Sequence, residues 1–524
     1  MAGPYNRNVK RGGAGSALIQ ILIVAALVGG GVFVYARKQA DTKRTMDLAV
    51  AAKEKTEGDD APALLEAKKK LAEIPEEKIL KSDAILSTAA ELEAQLFQAY
   101  GVQDSKATAQ KYVGILKDRN VRTAERYAAE AYLMLGEGRT NEAEALLMDL
   151  VNNKGARHAK LLHALSVAKL AQGKAKEAVV AAQEGQKLST QLVRLPIAEG
   201  DALLALGNIP SAAAAYLKAT KLNPDHVRAR TALALTAAVS RQGKPELLRK
   251  SLDTLLEEAK TRVNGEPPPR VTGFIEYAKG EIYLVDNDAK DALVEAEKSI
   301  AVDPTQPATF ALKGRALAKL GKLNDAKKAF DDAMALAPSS LPIAKAANDV
   351  LAHANKPLEG IAYLQKVQTA NPDNGMIYVE LSLAQSEAGK GKDALKTAEQ
   401  AMEKLGNAHD LAVFAKARAL QADNQLDKAR ETYGEALGAH PNQDWPELFF
   451  AMAQLRMQEK NFDEAVGLYQ QAVKLWDKQG GSLDSVADAY EGIGKAYDAQ
   501  GKRHRKDAQD AYQKASDLRK GQKA

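Results

Sequence analysis

Residues 307–340 read PATFALKGRALAKLGKLNDAKKAFDDAMALAPSS. Two helical stretches meet at a glycine. Gly314 stands where the two helices of such a hairpin cross closely, and a side chain there would hold them apart. Gly321 falls where glycine ends helices, just past the last helical residue. Ala326, Phe330 and Ala333 follow at helical spacing and form the packing stripe of the second helix. Pro338 stops that helix.

The pattern recurs. Pro304, Pro338 and Pro372 are spaced 34 residues apart, and a fixed period in this range marks a solenoid. The unit 273–306 offers Gly280, Tyr283, Ala292, Ala296 and Pro304 at matching places, and 193–226 offers Gly200, Gly207, Ala212, Tyr216, Ala219 and Pro224. Units 410–443 (Ala417, Ala429, Tyr433, Ala436, Pro441) and 446–479 (Phe449, Ala453, Ala465, Tyr469, Ala472) carry it too. So does a last unit with Gly494, Ala508, Tyr512 and Ala515, which has two extra residues in its turn. Weaker copies lie at 124–157, 159–192 and 375–408, and two more, 227–264 and 341–374, follow from register. The combination of small residue, turn glycine, alanine, aromatic, alanine and proline resembles the tetratricopeptide-repeat family over roughly residues 124–520. The resemblance implies an all-α fold, an α-solenoid of about eleven helix-turn-helix units. It also implies a concave surface, built from the first helix of each unit, that holds a segment of a partner protein.

Composition agrees with helices: aromatics are 5% and there are only 18 prolines. At 524 residues the chain exceeds what one ordinary core supports, so repeats or several domains are expected. The 73 basic and 68 acidic side chains nearly balance, giving a formal net charge of +5. Spread along the chain, they read as solvated helix faces, and no nucleic-acid partner is expected. The basic residues Lys502, Arg503, Arg505, Lys506 and Arg519 near the end belong to a solvated helix capping the array. The chain has no cysteine. That excludes disulfides, cysteine-based zinc sites and a cysteine nucleophile, and suits a secreted or periplasmic setting.

A short basic tail, residues 1–16, precedes the apolar run Ala17–Ala36, ALIQILIVAALVGGGVFVYA. Twenty helical residues span about 30 Å, the thickness of a bilayer core. The run exceeds the usual core of a cleaved signal peptide, so an uncleaved transmembrane anchor is expected, although Val34-Tyr35-Ala36 has the form of a cleavage site. The signal-anchor layout places the repeats in the periplasm of an inner (cytoplasmic) membrane. The basic residues Arg37, Lys38, Lys43 and Arg44 favour the alternative, a cytoplasm-facing array. Residues 37–120 read as a charged helical stalk or degenerate repeats. An N-terminal block at 124–264 and a C-terminal block at 273–520 are then separated by a proline-rich linker at 265–272, a hinge or a contact loop.

No catalytic constellation is found. Gly389-Lys390-Gly391-Lys392 lacks the spacing of a phosphate loop and its Ser/Thr. The seven histidines are scattered without metal-ligand spacing. The chain is therefore expected to be no enzyme, with no cofactor, no metal and no small-molecule substrate. Its partners are expected to be other proteins, components of an envelope complex, and the membrane through residues 17–36. Projecting the family's groove positions onto the better units nominates Phe274, Tyr277, Arg315, Lys319, Phe414, Arg418, Phe450 and Gln454. The expected function is an anchored, non-catalytic scaffold that assembles a cell-envelope machine for secretion, pilus assembly, gliding motility or polysaccharide export. The alternative is a regulatory or targeting subunit of a membrane-associated enzyme, or a periplasmic chaperone-like adaptor.

Overall fold

The computed structural model describes residues 37–56, 59–439, 444–479 and 481–520, and these are helical with no strand. The expected anchor at 17–36 lies outside the described residues. Among the described residues no helix is long and apolar enough to cross a membrane.

A helix over 37–56 (α1) leads into α2 (Ala61–Ala72), α3 (Glu76–Lys81), α4 (Asp83–Tyr100) and α5 (Gln103–Asp118). Eleven helix pairs follow among the described residues. The first five are α6/α7 (Ala124–Gly136, Thr140–Met148), α8/α9 (Ala159–Ala171, Ala175–Leu188), α10/α11 (Arg194–Ala205, Ile209–Leu222), α12/α13 (Val227–Val239, Pro245–Val263) and α14/α15 (Pro269–Val285, Ala289–Val302). Then come α16/α17 (Pro307–Lys319, Leu323–Leu336), α18/α19 (Leu341–His353, Pro357–Ala370) and α20/α21 (Gly375–Glu387, Gly391–Leu405). The last three are α22/α23 (Asp410–Ala422, Leu426–Ala439), α24/α25 (Pro446–Gln458, Phe462–Gln479) and α26/α27 (Leu483–Gln500, Arg505–Arg519).

Each pair is held by a close crossing. A Cβ added at Gly314 would lie 2.9 Å from the Phe330 ring, and one at Gly200 would lie 2.5 Å from Tyr216. The aromatic of the second helix thus lies over the missing side chain of the first. Where serine takes the glycine's place, its hydroxyl is absorbed by the facing helix: Ser166 donates to the Ala178 carbonyl and Ser382 to that of Ala394, each at 2.8 Å.

Seven residues past the crossing the chain turns left-handed, and it does so in ten successive pairs. Glycine occupies this turn at 138, 173, 207, 321 and 389, with φ between 71° and 77°. Asn287, Asn355 and Asn424 take it at 58° to 60°, and Arg241 and Lys460 at 55° and 59°. Asparagine tolerates this region; a long side chain with a Cβ does so at a cost. Helix α14 starts at Pro269, inside the segment expected as linker, because a proline at the first helical position forfeits only a donor that would be orphaned anyway.

Residues 61–118 are packed, not extended from the array. Leu64, Leu86, Leu92, Leu96 and Leu116 are fully buried in one core with residues of α6, α8 and α12–α14. The charges that suggested a stalk are accommodated by pairing. Glu91 meets Lys160 at 2.5 Å and Arg194 at 2.9 Å, and Glu93 meets Lys68 at 2.8 Å.

The solenoid coils tightly enough for distant units to touch. Arg270, opening α14, donates to the carbonyls of Phe97 and Gln98 at the end of α4. Asn371, closing the seventh pair, donates to Asn141 of the first at 2.9 Å. Asn374 donates to the Gln172 carbonyl at 2.8 Å, and Lys176 pairs with Asp410.

The strained turn at Lys460 is exposed. Replacing Lys460 by Gly is expected to stabilise α24/α25 by about 1 kcal/mol, and Gly321→Ala to destabilise α16/α17 by about as much. Hydrogen exchange resolved by peptide checks both: about fivefold slower exchange in 446–479 for the first variant, about fivefold faster in 307–336 for the second.

Candidate functional site

The first helices of the pairs form the inner wall of the coil. The first turn closes on itself around a cavity of about 640 Å³. Its wall comes from α4, α6, α8, α10, α12, α14 and α16, with the connection between α1 and α2 at one end.

Counted back from the left-handed turn residue of each unit, the wall residues fall into columns. Thirteen residues before the turn stand Arg194, Arg228 and Phe274; ten before it stand His163 and Tyr277; six before it stand Tyr132 and Asp201. All seven line the cavity. An A-helix residue at a fixed register projects from the same face in every unit, so a column becomes a stripe along the bore.

The columns bring aromatic and guanidinium groups together. The Arg228 guanidinium lies 4.6 Å from the centre of the Phe274 ring and pairs with Asp201 at 2.6 Å. Asp201 also accepts from the Tyr216 hydroxyl at 2.7 Å. Phe274 stacks near-parallel on Tyr277, 6.1 Å between centres. At the other end Arg194 lies 5.6 Å over Tyr132, whose hydroxyl is hydrogen bonded to His163 Nδ1 at 2.8 Å. Arg194 bonds Glu91 at 2.9 Å, while its Nη1 stands 3.6 Å from Asp59.

Burial sets the protonation states. Desolvation pushes Asp59 up to about 6, against the opposing pull of Arg194 and with help from Glu91 and Asp60. Desolvation lowers His226 to about 4, although Asp60 and the Asp59 carbonyl act the other way. It also holds His163 well below its ordinary value, with Arg194 and Arg228 adding to the effect. Both imidazoles are therefore neutral at pH 7. His226 Nε2 faces the Asp59 carbonyl at 3.0 Å and Nδ1 accepts from the Ala229 amide at 3.4 Å, which fixes the Nε2–H tautomer. Among the described residues no group of three His, Asp or Glu side chains is set to hold a metal. The arrangement is suited to binding: rigid aromatic faces, cations fixed by carboxylates, and neutral imidazoles.

Of the residues nominated from sequence, Phe274 and Tyr277 line this cavity. Arg315 stands just behind, paired with Glu281. Lys319 reaches Asn287 at 3.4 Å in an exposed contact outside the cavity. Further along, Arg418 donates to Gln454 at 2.7 Å, so these two satisfy each other. Phe414 and Phe450 are packed against other aromatic rings, not on an open wall. Phe414 is 8% exposed and packs 4.9 Å from Trp445, and Phe450 lies between Tyr469 and Trp476 at 5.4 and 5.7 Å. The covering rings differ in origin: Trp445 caps the first helix of the unit that follows Phe414, whereas Trp476 stands on α25, the second helix of Phe450's own pair. Tyr132, His163, Arg194 and Arg228 escaped the sequence reading, although they share its columns, because the projection was confined to the better-formed C-terminal units. Asp59 and Asp60 belong to no repeat and had no such signal.

Asp59 and His226 respond to acid in opposite senses. Asp59, raised when folded, costs stability above pH 6, and that cost disappears as pH falls from about 6 towards 4. His226, lowered when folded, contributes stability that is lost over the same fall. Removing one should expose the other. Relative to Asp59→Asn, the unaltered chain is expected to gain up to about 3 kcal/mol between pH 7 and pH 4. Urea denaturation of both chains at the two pH values reads the difference; identical pH dependence would contradict the assignment.

Comparison with known proteins found no match among the curated proteins. Among solved structures the chain aligns with the yeast Tom70 crystal structure at 14% identity, covering 80% of this chain and 96% of that one, with a TM-score of 0.40. It aligns with the APC/C hetero-tetramer Cut9–Hcn1 at 15% identity, covering 81% and 87%, with a TM-score of 0.33. Three tetratricopeptide-repeat family models match residues 197–247, 308–340 and 447–521. The chain carries tetratricopeptide repeats, the building blocks of protein–protein interaction scaffolds.

Proposed function

We propose that this chain is a non-catalytic scaffold that binds an extended segment of another protein along the inner wall of its first superhelical turn. The observation that carries the reading is the set of columns at the cavity: Arg194, Arg228 and Phe274 in one, His163 and Tyr277 in the next. Aromatic and arginine side chains dominate binding energies at protein interfaces. Here they are pre-positioned by ion pairs and stacking, so little entropy is lost when a partner docks. The wall continues past the cavity through Arg315, Arg418 and Gln454, a route for a longer partner segment into the C-terminal units.

The same proposal places the scaffold at the inner membrane, with residues 17–36 as anchor and the repeats in the periplasm, where it assembles an envelope machine. The bilayer-length apolar run and the absence of cysteine support this placement.

A photo-crosslinking residue at Tyr277 is expected to trap a discrete protein in cells, whereas one at Val294, exposed on the second helix of the same pair, is expected to trap none. Changing both Phe274 and Tyr277 to Ala should weaken binding of the trapped protein at least tenfold while helicity is kept. Equal trapping at both positions would move the interface to the outer face. For the anchor, the full chain is expected to stay with membranes through high salt and alkaline washes. An active C-terminal alkaline phosphatase fusion would report a periplasmic array, and an inactive one beside a fluorescent C-terminal fusion would reverse it.

A further inference from the structure

The cavity of the first turn has an apolar stripe beside its aromatic and guanidinium columns. Three residues before the left-handed turn stand Leu135, Leu170 and Leu204, and six before it stand Val167 and Leu235. All five line the cavity. Leu135, Val167, Leu170 and Leu204 are only partly buried by the protein itself. A register that brings leucine to the bore in three consecutive units makes a stripe that runs along it. Phe274 and Tyr277, stacked on each other, add two aromatic faces. In an open array this stripe would be outer surface; the closed turn makes it the wall of a cavity of about 640 Å³. Cavities of roughly 300–1,000 Å³ with a mainly apolar lining and a few polar groups are typical sites for a bound group.

Among the described residues, no charge on this wall is left over. Arg194 is bonded to Glu91 at 2.9 Å and faces Asp59, and Arg228 pairs with Asp201 at 2.6 Å. Arg270 pairs with Asp303 at 3.3 Å, and Asp60 with Arg262 at 2.6 Å. The open polar group of the wall is itself uncharged. The Tyr132 hydroxyl, whose ionisation burial pushes far up, donates to His163 Nδ1 at 2.8 Å and leaves Nε2–H on a neutral ring. A carboxylate or ammonium entering the bore would give up its water and meet only ions that are already paired, so its desolvation would go uncompensated. An apolar group has no such cost and gains by covering the leucine stripe.

Resting on the binding reading above, we infer that the occupant of the cavity is an uncharged stretch of the partner, which lays large apolar side chains on the Leu135–Leu170–Leu204 stripe and against the Phe274 and Tyr277 rings. The two kinds of column then have different tasks. The apolar side chains supply the binding energy, and the internal ion pairs fix the wall and reject charged segments. Rejection of the wrong segment is as much a part of specificity as attraction of the right one. Because the stripe crosses three units, a segment with apolar side chains at more than one position fits it better than a single anchor.

The test places a diazirine-bearing residue in the full chain, once at Leu170 and once at Tyr277, and maps the cross-linked partner peptides by mass spectrometry. Both positions are expected to mark one stretch of the same protein. Its residues around the cross-links should include no Asp, Glu, Lys or Arg and more than one Leu, Ile, Met, Phe or Trp. That stretch, made as a labelled synthetic peptide, is then titrated against the full chain in mild detergent. Its affinity is expected to change less than about twofold between about 0.05 M and about 0.5 M salt, since no charge is read. Changing its apolar residues to Asp should weaken binding at least tenfold, and so should Leu170→Asp in a chain that keeps its helicity. Should Leu170→Asp not fold, the cross-link map and the salt titration, which do not need it, decide. A cross-linked stretch centred on charged residues, or a tenfold loss of affinity with salt, overturns the inference. So does a small molecule that is extracted from the purified chain by organic solvent and blocks cross-linking at Leu170. Cross-links at Tyr277 with none at Leu170 leave the scaffold reading standing and remove this one, whereas cross-links at neither position remove both.

Discussion

The distance between the two helices of a unit is the constraint on which the rest depends. Backbones can approach only where one helix offers no bulk, and the array meets that demand by several routes. Gly200 and Gly314 receive an aromatic ring from the second helix. Ser166 and Ser382 are small enough to be crossed, and their hydroxyls find carbonyls twelve residues on. The pair α18/α19 inverts the arrangement: Asn348 stands at the crossing, and the space is made by Gly360, where a Cβ would fall 2.8 Å from the Asn348 side chain. A fixed separation at every crossing fixes the angle between units, and identical angles accumulate into a coil. The coil's pitch then brings the first pairs against the sixth and seventh, and the cavity exists only because the turn closes.

The contacts that close it differ in kind from those inside each unit. Within a unit the stabilisation is apolar and scales with buried area. Between turns, much of it passes through single donors: Arg270 to Gln98, Asn371 to Asn141, Asn374 to the Gln172 carbonyl. Hydrogen bonds of this sort contribute about 1 kcal/mol each, net of the water they replace. The first turn adds a shared apolar core, in which α2 and α4 join α12–α14. The first turn is therefore closed by apolar burial as well as by these single donors.

The fold was legible because the crossing and the turn are written in single letters. Gly314, Gly321 and Pro338 each have one physical reason to be where they are, and their period gives the solenoid directly. The units 227–264 and 341–374 were harder to read because the same constraints were met by other residues. A left-handed turn at Asn355 or Arg241 carries no glycine, and the crossing at Asn348 hides its small residue on the opposite helix. The site was legible only as a set of columns. Phe274 and Tyr277 were found from register alone. Phe414 and Phe450, in the column of Tyr277, are covered by Trp445 from the next unit and Trp476 from the second helix of the same unit, so one register opens or closes according to which large side chain lies over it. That depends on tertiary contacts, which register along one helix does not encode. The Asp59–Asp60 segment lies outside the repeats altogether, and only the closure of the turn brings it to Arg194 and Arg262.

The buried charges of the first turn show why this closure concerns more than stability. Ion pairs withdrawn from water seldom stabilise a fold more than apolar side chains of the same size would, because desolvation consumes most of the attraction. Arg194, Glu91 and Asp59 share one buried cluster, yet its geometry is not the best available to those groups. Glu91 takes one nitrogen of the guanidinium, Asp59 stands off at 3.6 Å, and Nε is unused. The Asp59 carboxylate is so poorly solvated that its affinity for a proton rises to about 6. What the charges provide is position: Glu91 fixes the Arg194 guanidinium over the Tyr132 ring, on the wall of the cavity, where an apolar side chain of the same size would leave no cation.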